Sequence, residues 1–229
     1  RGGEVLLIVC VIHIQTKVSQ GLAIRLDVAT GDVLFAAALS SAVNECVFSH
    51  SLAHSRDGGY VIMAITNDCS AGSMDRLLLI KVNSRDEVDW SKRFIFAASK
   101  SISPTRILTT HDNGYLIVGS LSSVLLKGQG FLIRVCEHGV IQWAKSYGNG
   151  GVWKDYISDV AELPGAFGGY RLAGYGFSCR AGASSDVFIA QIGRDGNLNN
   201  HPALTDITND LSVEDVVITI SVTDGSAVV

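Results

Sequence analysis

Asp112-Asn113-Gly114-Tyr115-Leu116-Ile117 is preceded by Asp57-Gly58-Gly59-Tyr60-Val61-Ile62 and followed by Phe167-Gly168-Gly169-Tyr170-Arg171-Leu172. The tyrosines are 55 residues apart in both steps (115 − 60 and 170 − 115). A fainter first repeat, Gly2-Gly3-Glu4-Val5-Leu6, sets Glu4 in the tyrosine column, 56 residues before Tyr60. A fixed period of this size is the mark of a repeat architecture, in which one supersecondary unit recurs and neighbours bury each other's apolar faces.

Each repeat continues in the same way. A second apolar run follows: Leu22-Ala23-Ile24-Arg25-Leu26, Leu78-Leu79-Ile80-Lys81-Val82, Leu132-Ile133-Arg134-Val135 or Phe188-Ile189-Ala190-Gln191-Ile192. Turns follow at Thr30-Gly31-Asp32, Arg85-Asp86-Glu87, His138-Gly139 and Asp195-Gly196-Asn197. Val88-Asp89-Trp90-Ser91-Lys92-Arg93-Phe94 then matches Ile141-Gln142-Trp143-Ala144-Lys145-Ser146-Tyr147, each Trp nine residues after Lys81 or Arg134. A fourth segment, such as Glu45-Cys46-Val47-Phe48, Thr105-Arg106-Ile107-Leu108, Tyr156-Ile157-Ser158-Asp159-Val160 or Asp215-Val216-Val217-Ile218, is expected to close each repeat. Runs of four to eight β-branched and apolar residues between Gly, Asp, Asn and Ser read as strands. The Ala-rich Leu34 to Val43 is the one stretch with a helical alternative.

Four short antiparallel strands in a unit of about 55 residues predict an all-β chain forming a β-propeller of about four blades. The repeats run approximately 3–57, 58–112, 113–167 and 168–222, with 223–229 opening a further strand of a single domain, 1–229. The Gly-Tyr strand is placed innermost, its glycines making room near the axis. Trp90 and Trp143, sharing a column, are expected to pack between sheets. Four blades is the lower limit of the usual range, so closure by another subunit or by further blades is expected alongside closure of the chain alone.

The pattern D-G-G-Y-x-x-x-G, then L-I-K-V, then G-x-h-x-W-x-K-x-Y-G resembles the blade repeat of bacterial secreted or surface β-propellers, closest in Asp112 to Gly148 with Gly119, Trp143, Lys145, Tyr147 and Gly148 in place. The first repeat departs from it, with Leu34 or Phe35 for the Trp, as does the last, where Asn199-Asn200-His201-Pro202 replaces the third strand. The resemblance implies a binding fold, a secreted or surface location and no catalytic residues. Ser84 to Trp90 and Glu137 to Trp143 also resemble the turn box of sialidase-type propellers, but the arginine cluster, acid and Tyr nucleophile of that chemistry are not apparent. Arg25 and Arg134, at regular strand-two positions, read as solvent-facing.

Composition narrows the partners. Of 229 residues, 17% are charged against about 25% in an average chain, and 47% are apolar. The net charge of −4 and the lack of a basic run give nucleic acid no footprint. The longest apolar run, Val5 to Ile14, is too short to span a bilayer as a helix. Five cysteines without C-x-x-C spacing argue against a disulfide framework and a finger-type zinc site, and read mostly as buried hydrophobes. No nucleophile elbow, zincin motif or phosphate loop is present, and no cofactor is implied.

His50 and His54 are expected in the connection between the first two repeats, His111 in the next connection and His138 in a strand-two to strand-three turn, all on one face. His54, His111 and His138, with Trp153 beyond the third repeat, are the candidate ligand-binding residues. A metal there is outweighed by solvated loop histidines, since no H-x-H pair on one strand supports it. The sequence points to a non-catalytic module binding a protein partner or further subunits as a scaffold. Glycan binding is the alternative, and an enzyme working at the axis the least favoured reading.

Overall fold

The computed structural model describes residues 3–12, 19–41, 45–69, 74–97, 101–122, 128–147, 155–165, 168–176, 186–197 and 204–222. The chain is all-β, with no α-helix among these residues. The first sheet, in order, is β1 (Glu4–Ile12), β2 (Ser19–Asp27), β3 (Val33–Ser41) and β17 (Ile218–Val222). The second is β4 (Cys46–His54), β5 (Tyr60–Asn67), β6 (Arg76–Val82), β7 (Val88–Phe96) and β16 (Leu211–Asp215). The third is β8 (Ser101–Thr109), β9 (Tyr115–Ser122), β10 (Gln129–Val135), β11 (Ile141–Tyr147) and β15 (Leu204–Asp206). The fourth holds β12 (Asp155–Glu162), β13 (Tyr170–Gly176) and β14 (Asp186–Ile192). The Ala-rich stretch is, over residues 34–41, strand β3, paired between β2 and β17, and its remaining residues lie outside the described ones.

The register corrects three expectations. The fourth segments do not close a repeat: β4, β8 and β12 each pair with the Gly-Tyr strand that follows. The Gly-Tyr strand is therefore second in its sheet, and β4, β8 and β12 are the strands that approach one another. Its glycines serve a hairpin and not an axis: Gly58 has φ 84°, and a Cβ on Gly59 would lie 2.1 Å from the Val82 carbonyl oxygen. In the first sheet Val5 opposes Leu26 as Tyr60 opposes Val82, so the tyrosine column falls on Val5, not Glu4, and the period of 55 holds there too.

Gly119 has a comparable cause. The β8 strand bulges between Pro104 and Arg106, and a Cβ on Gly119 would lie 2.5 Å from the Ser103 carbonyl oxygen. A bulge crowds the strand it pairs with, and only glycine accommodates it here.

The segment 204–222 departs furthest from expectation. It does not return to the fourth sheet. It pairs antiparallel with β11, then β7, then β3, covering in reverse order the outer edges of the three sheets laid down before it. Unpaired edge strands invite association, and this strap removes three of them. It also inserts Ile207 into the core between the second and third sheets and Ile218 into that between the first and second.

Successive sheets pack face to face in chain order. Met63, Leu79 and Phe94 of the second meet Ile117, Phe131 and Ile133 of the third, all completely buried. Cys46 and Cys69 form a disulfide across the far end of β4 and β5, correcting the reading of these two as buried thiols, while Cys136 is free. Of the paired cysteines, Cys46 opposes Asn67, two residues from its partner, so hairpin register brings the sulfurs together.

Candidate functional site

The hairpins linking β4 to β5 and β6 to β7 lie at the same end of the second sheet, and their counterparts recur in the third and fourth. The turn after the second strand of each sequence repeat (β2, β6, β10 and β14) has one left-handed residue in the same place: Gly31 (φ 77°), Asp86 (65°), Gly139 (73°) and Gly196 (76°). Their amide bonds also recur, Asp86 to the Asn83 carbonyl, Gly139 to that of Cys136 and Gly196 to that of Gly193.

On this frame the sheets are joined by a repeated set of side chains. The Trp90 indole lies edge-on to Tyr115 of the next sheet, ring centres 6.4 Å apart, and its Nε1 donates to the Glu137 carbonyl at 3.0 Å. Trp143 repeats this, 6.4 Å from Tyr170, with Nε1 donating to the Arg194 carbonyl at 3.0 Å. Gly139 and Gly196 sit against these two indoles, where a Cβ would meet the ring. Both tryptophans thus pack between sheets, as their common column predicts.

The strand-two cations complete the joint. Lys81 Nζ donates to Asp57 Oδ2 at 2.6 Å, to Asp89 Oδ2 at 3.3 Å and to the Val82 carbonyl at 3.2 Å, with its side chain 6% exposed. Arg134 pairs with Asp112 and with the carbonyl oxygens of Tyr115 and Val135, its side chain 3% exposed. Arg25 pairs with Asp86 of the next sheet. The strand-two cations are therefore structural ion pairs, not solvent-facing, because the turn aspartates reach back over them. Tyr115 OH and Ser55 Oγ share a 2.7 Å hydrogen bond across the second and third sheets.

Between these two sheets the turns leave a cavity of about 340 Å3, lined by Ser55, Arg56, Asp57, Lys81, Asp89, Trp90, Asn113, Tyr115, Glu137 and His138. A smaller one, about 80 Å3, lies between the first and second sheets beside Arg25, His54, Tyr60 and Asp86. No protein-family model and no curated protein matches the chain. The geometry alone therefore carries the functional reading.

The candidate histidines share the turn-bearing end but occupy three different junctions. His54 ends β4 and borders the small cavity, its carbonyl accepting from Thr109 Oγ1. His111 bridges the third and fourth sheets: Arg194 Nη1 donates to its Nε2 at 2.9 Å, so its Nδ1 carries the proton and donates to Glu162 Oε1 at 2.5 Å. His138 is exposed on the rim of the larger cavity, Nε2 3.4 Å from Glu137 Oε1. His50 lies within β4 at the bulge between Ser49 and Ser51, not in a connection. Trp153 lies outside the described residues. No group of three or more His, Cys, Asp or Glu is placed to hold a metal among the described residues, and none of their helices is long and apolar enough to cross a membrane.

Sequence reasoning missed the Lys81, Asp57 and Asp89 cluster. The signal was available: Asp57 and Asp112 recur in the turn column wherever Lys81 and Arg134 recur on strand two.

Electrostatics make these joints sensitive to pH. Burial alone would raise the Asp57 and Asp112 carboxyls. At Asp57 the Lys81 hydrogen bond, the Gly59 amide and the Lys81 charge together outweigh it, and at Asp112 the Thr110 hydrogen bond, the Arg134 charge and the local backbone do so together, so both lie below the usual carboxylate range. Burial opposes the Lys81 ammonium, but Asp57 and Asp89 hold its pKa above the ordinary value. Burial pushes the Tyr60 hydroxyl up to about 12, with Asp86 adding to the shift, and raises Tyr115 and Tyr170 as well. The lowered aspartates stabilise the fold above their unfolded pKa of about 3.9, and that contribution disappears as pH falls through the folded values. The raised Lys81 and tyrosines stabilise it below their unfolded values of about 10, and that contribution is lost as pH rises through the folded ones. Burial also lowers the His50 imidazole, so stability starts to fall below its unfolded value of about 6.5. Urea unfolding midpoints should be level from about pH 7 to 9 and fall on both sides, and Asp57→Asn should flatten the acid limb.

Proposed function

We propose that the chain is a β-propeller-type binding module whose docking surface is the turn-bearing end of its sheets, and that its partner is a protein. The supporting observation is that one turn conformation recurs at this end while its side chains differ: Arg85 and Glu87 on the second sheet, His138 and Val140 on the third, Asp195 and Asn197 on the fourth. Variable residues on a constant rigid frame are the arrangement of binding surfaces built on loops. The approach of β4, β8 and β12 to one another supports a propeller-like array, with these first strands towards its axis. The groove between the second and third sheets offers the most concave part of that surface, with Arg56, Glu137 and His138 at its mouth.

Glycan binding is the second reading, favoured by Trp90 and Tyr115 lining one groove with Asp57 and Asp89. Affinity capture with the chain as bait tests the first. A protein retained by the wild type and lost by the R56E/E137K double variant, at an unchanged unfolding midpoint, supports the proposal. A protein held equally by both overturns the assignment of the groove, and a saccharide that quenches the Trp90 fluorescence and is retained in place of protein supports the second reading.

A further inference from the structure

The three internal junctions are all of one kind. Each joins the strand-two cation face of one sheet, bearing Arg25, Lys81 or Arg134, to the tyrosine-column face of the next, bearing Tyr60, Tyr115 or Tyr170. Continued outward, this series leaves the tyrosine-column face of the first sheet and the cation face of the fourth without a neighbouring sheet among the described residues.

Both faces have the composition of a junction. On the first sheet, side chains alternate with Ala23 and Arg25, which point to the second sheet, so Leu7, Leu22, Ile24 and Leu26 occupy the outward face, with Leu7 43% exposed. Their counterparts in the second sheet, Ile62, Leu78, Ile80 and Val82, are completely buried beneath the first. On the fourth sheet the outward face carries Tyr156 stacked on Tyr175, with ring centres 4.9 Å apart, and Val187 and Ile189, 82% and 73% exposed. Val187 and Ile189 stand where the second sheet has Leu77 and Leu79, completely buried against the third.

The polar positions are altered on both sides at once. The cation column of the fourth sheet holds neutral Gln191, and the tyrosine column of the first holds Val5. At the internal junctions the tyrosine of one sheet interacts with the cation of the other, so a cation facing a valine would lose that hydroxyl and a tyrosine facing a glutamine would lose the charge beside it. The two outer faces lack the pair together. Two charges share the register of this face, Arg171 beside the turn-bearing end at the rim and Asp159 next to the β12 bulge, where it lies 3.5 Å from Arg106 Nε.

We propose that these two faces dock on each other between copies of the chain, so that the protein associates head to tail through a fourth junction of the same kind. Such an interface is heterologous and closes into a ring or extends into a filament. Two copies closing would set eight sheets in one ring, within the usual range for propellers.

Leu7→Lys and Ile189→Lys test this, both at solvent-exposed positions, with near-ultraviolet circular dichroism confirming that each variant folds. Sedimentation velocity of the wild type should show a dimer or larger species. Each variant alone should be monomeric, its dissociation constant raised at least about a hundredfold. An equimolar mixture should recover a 1:1 dimer, since one variant keeps the first-sheet face and the other the fourth-sheet face. A monomeric wild type, variants that associate as the wild type does, or a mixture that stays monomeric would each overturn the proposal.

Discussion

A chain ending at residue 203 is expected to lose its cooperative fold and to aggregate. The deletion removes β15, β16 and β17 and leaves β11, β7 and β3 as open edges. It also withdraws Ile207 and Ile218, each 8% exposed, from two inter-sheet cores. Emptying a buried isoleucine site costs about 2 to 5 kcal/mol, so the two together cost on the order of 4 to 10 kcal/mol. That is comparable with the whole stability of a domain, about 5 to 15 kcal/mol. The ion pairs of Lys92 with Asp215 and Arg93 with Glu214 go too, but Asp215 and Glu214 are largely exposed and contribute little. Circular dichroism melting and sedimentation velocity should show the loss of a sharp transition and the appearance of large species. A truncated chain that melts as the full one does would mean that the strap is dispensable.

Trp143→Ala and Trp90→Ala should each destabilise the chain by about 3 kcal/mol, the lower end for deletion of a large buried side chain, since both indoles are half-buried. The effects should be alike because the joints are alike: an edge-on tyrosine, a glycine against the ring and a carbonyl for Nε1. Phenylalanine at either position should recover most of the loss, leaving about 1 kcal/mol for the missing N–H donor. Urea unfolding of the four variants measures this. Unchanged midpoints in both alanine variants would make the tryptophans surface contacts.

The strands, their turns and the shared role of the tryptophans were legible because each is written in local pattern and repeated at a fixed period. Strand partnership was not. A segment such as Glu45-Cys46-Val47-Phe48 reads as a strand wherever it pairs, and only the bulged register of β4 on β5 assigns it to the following sheet. The strap was hidden for the same reason: Leu211 to Asp215 and Ile218 to Val222 carry no sign of the distant edges they join, more than a hundred residues away in sequence. The fate of Lys81 and Arg134 turned on long side chains. On an alternating strand a cation suggests solvent, and only the returning aspartate of the hairpin shows that it is covered. The Cys46 to Cys69 disulfide escaped because an odd cysteine count conceals any one pair. The cavity between the second and third sheets arises from the fit of two turns and has no linear signature.

The strap crossing from the fourth repeat to the edges of the earlier sheets ties the whole fold together, and a paired cysteine experiment tests it most directly. Ile95 and Ser212 are directly opposite across β7 and β16. Opposed antiparallel residues have Cα atoms about 4.5 to 5.5 Å apart, within reach of a disulfide. Ile95→Cys with Ser212→Cys should oxidise to a bond between residues 95 and 212, identified by peptide mapping. The bond should form in the folded chain and not in the urea-unfolded one. Two thiols at 95 and 212 that stay unlinked under oxidising conditions in the folded chain would contradict the strap and the fold built on it.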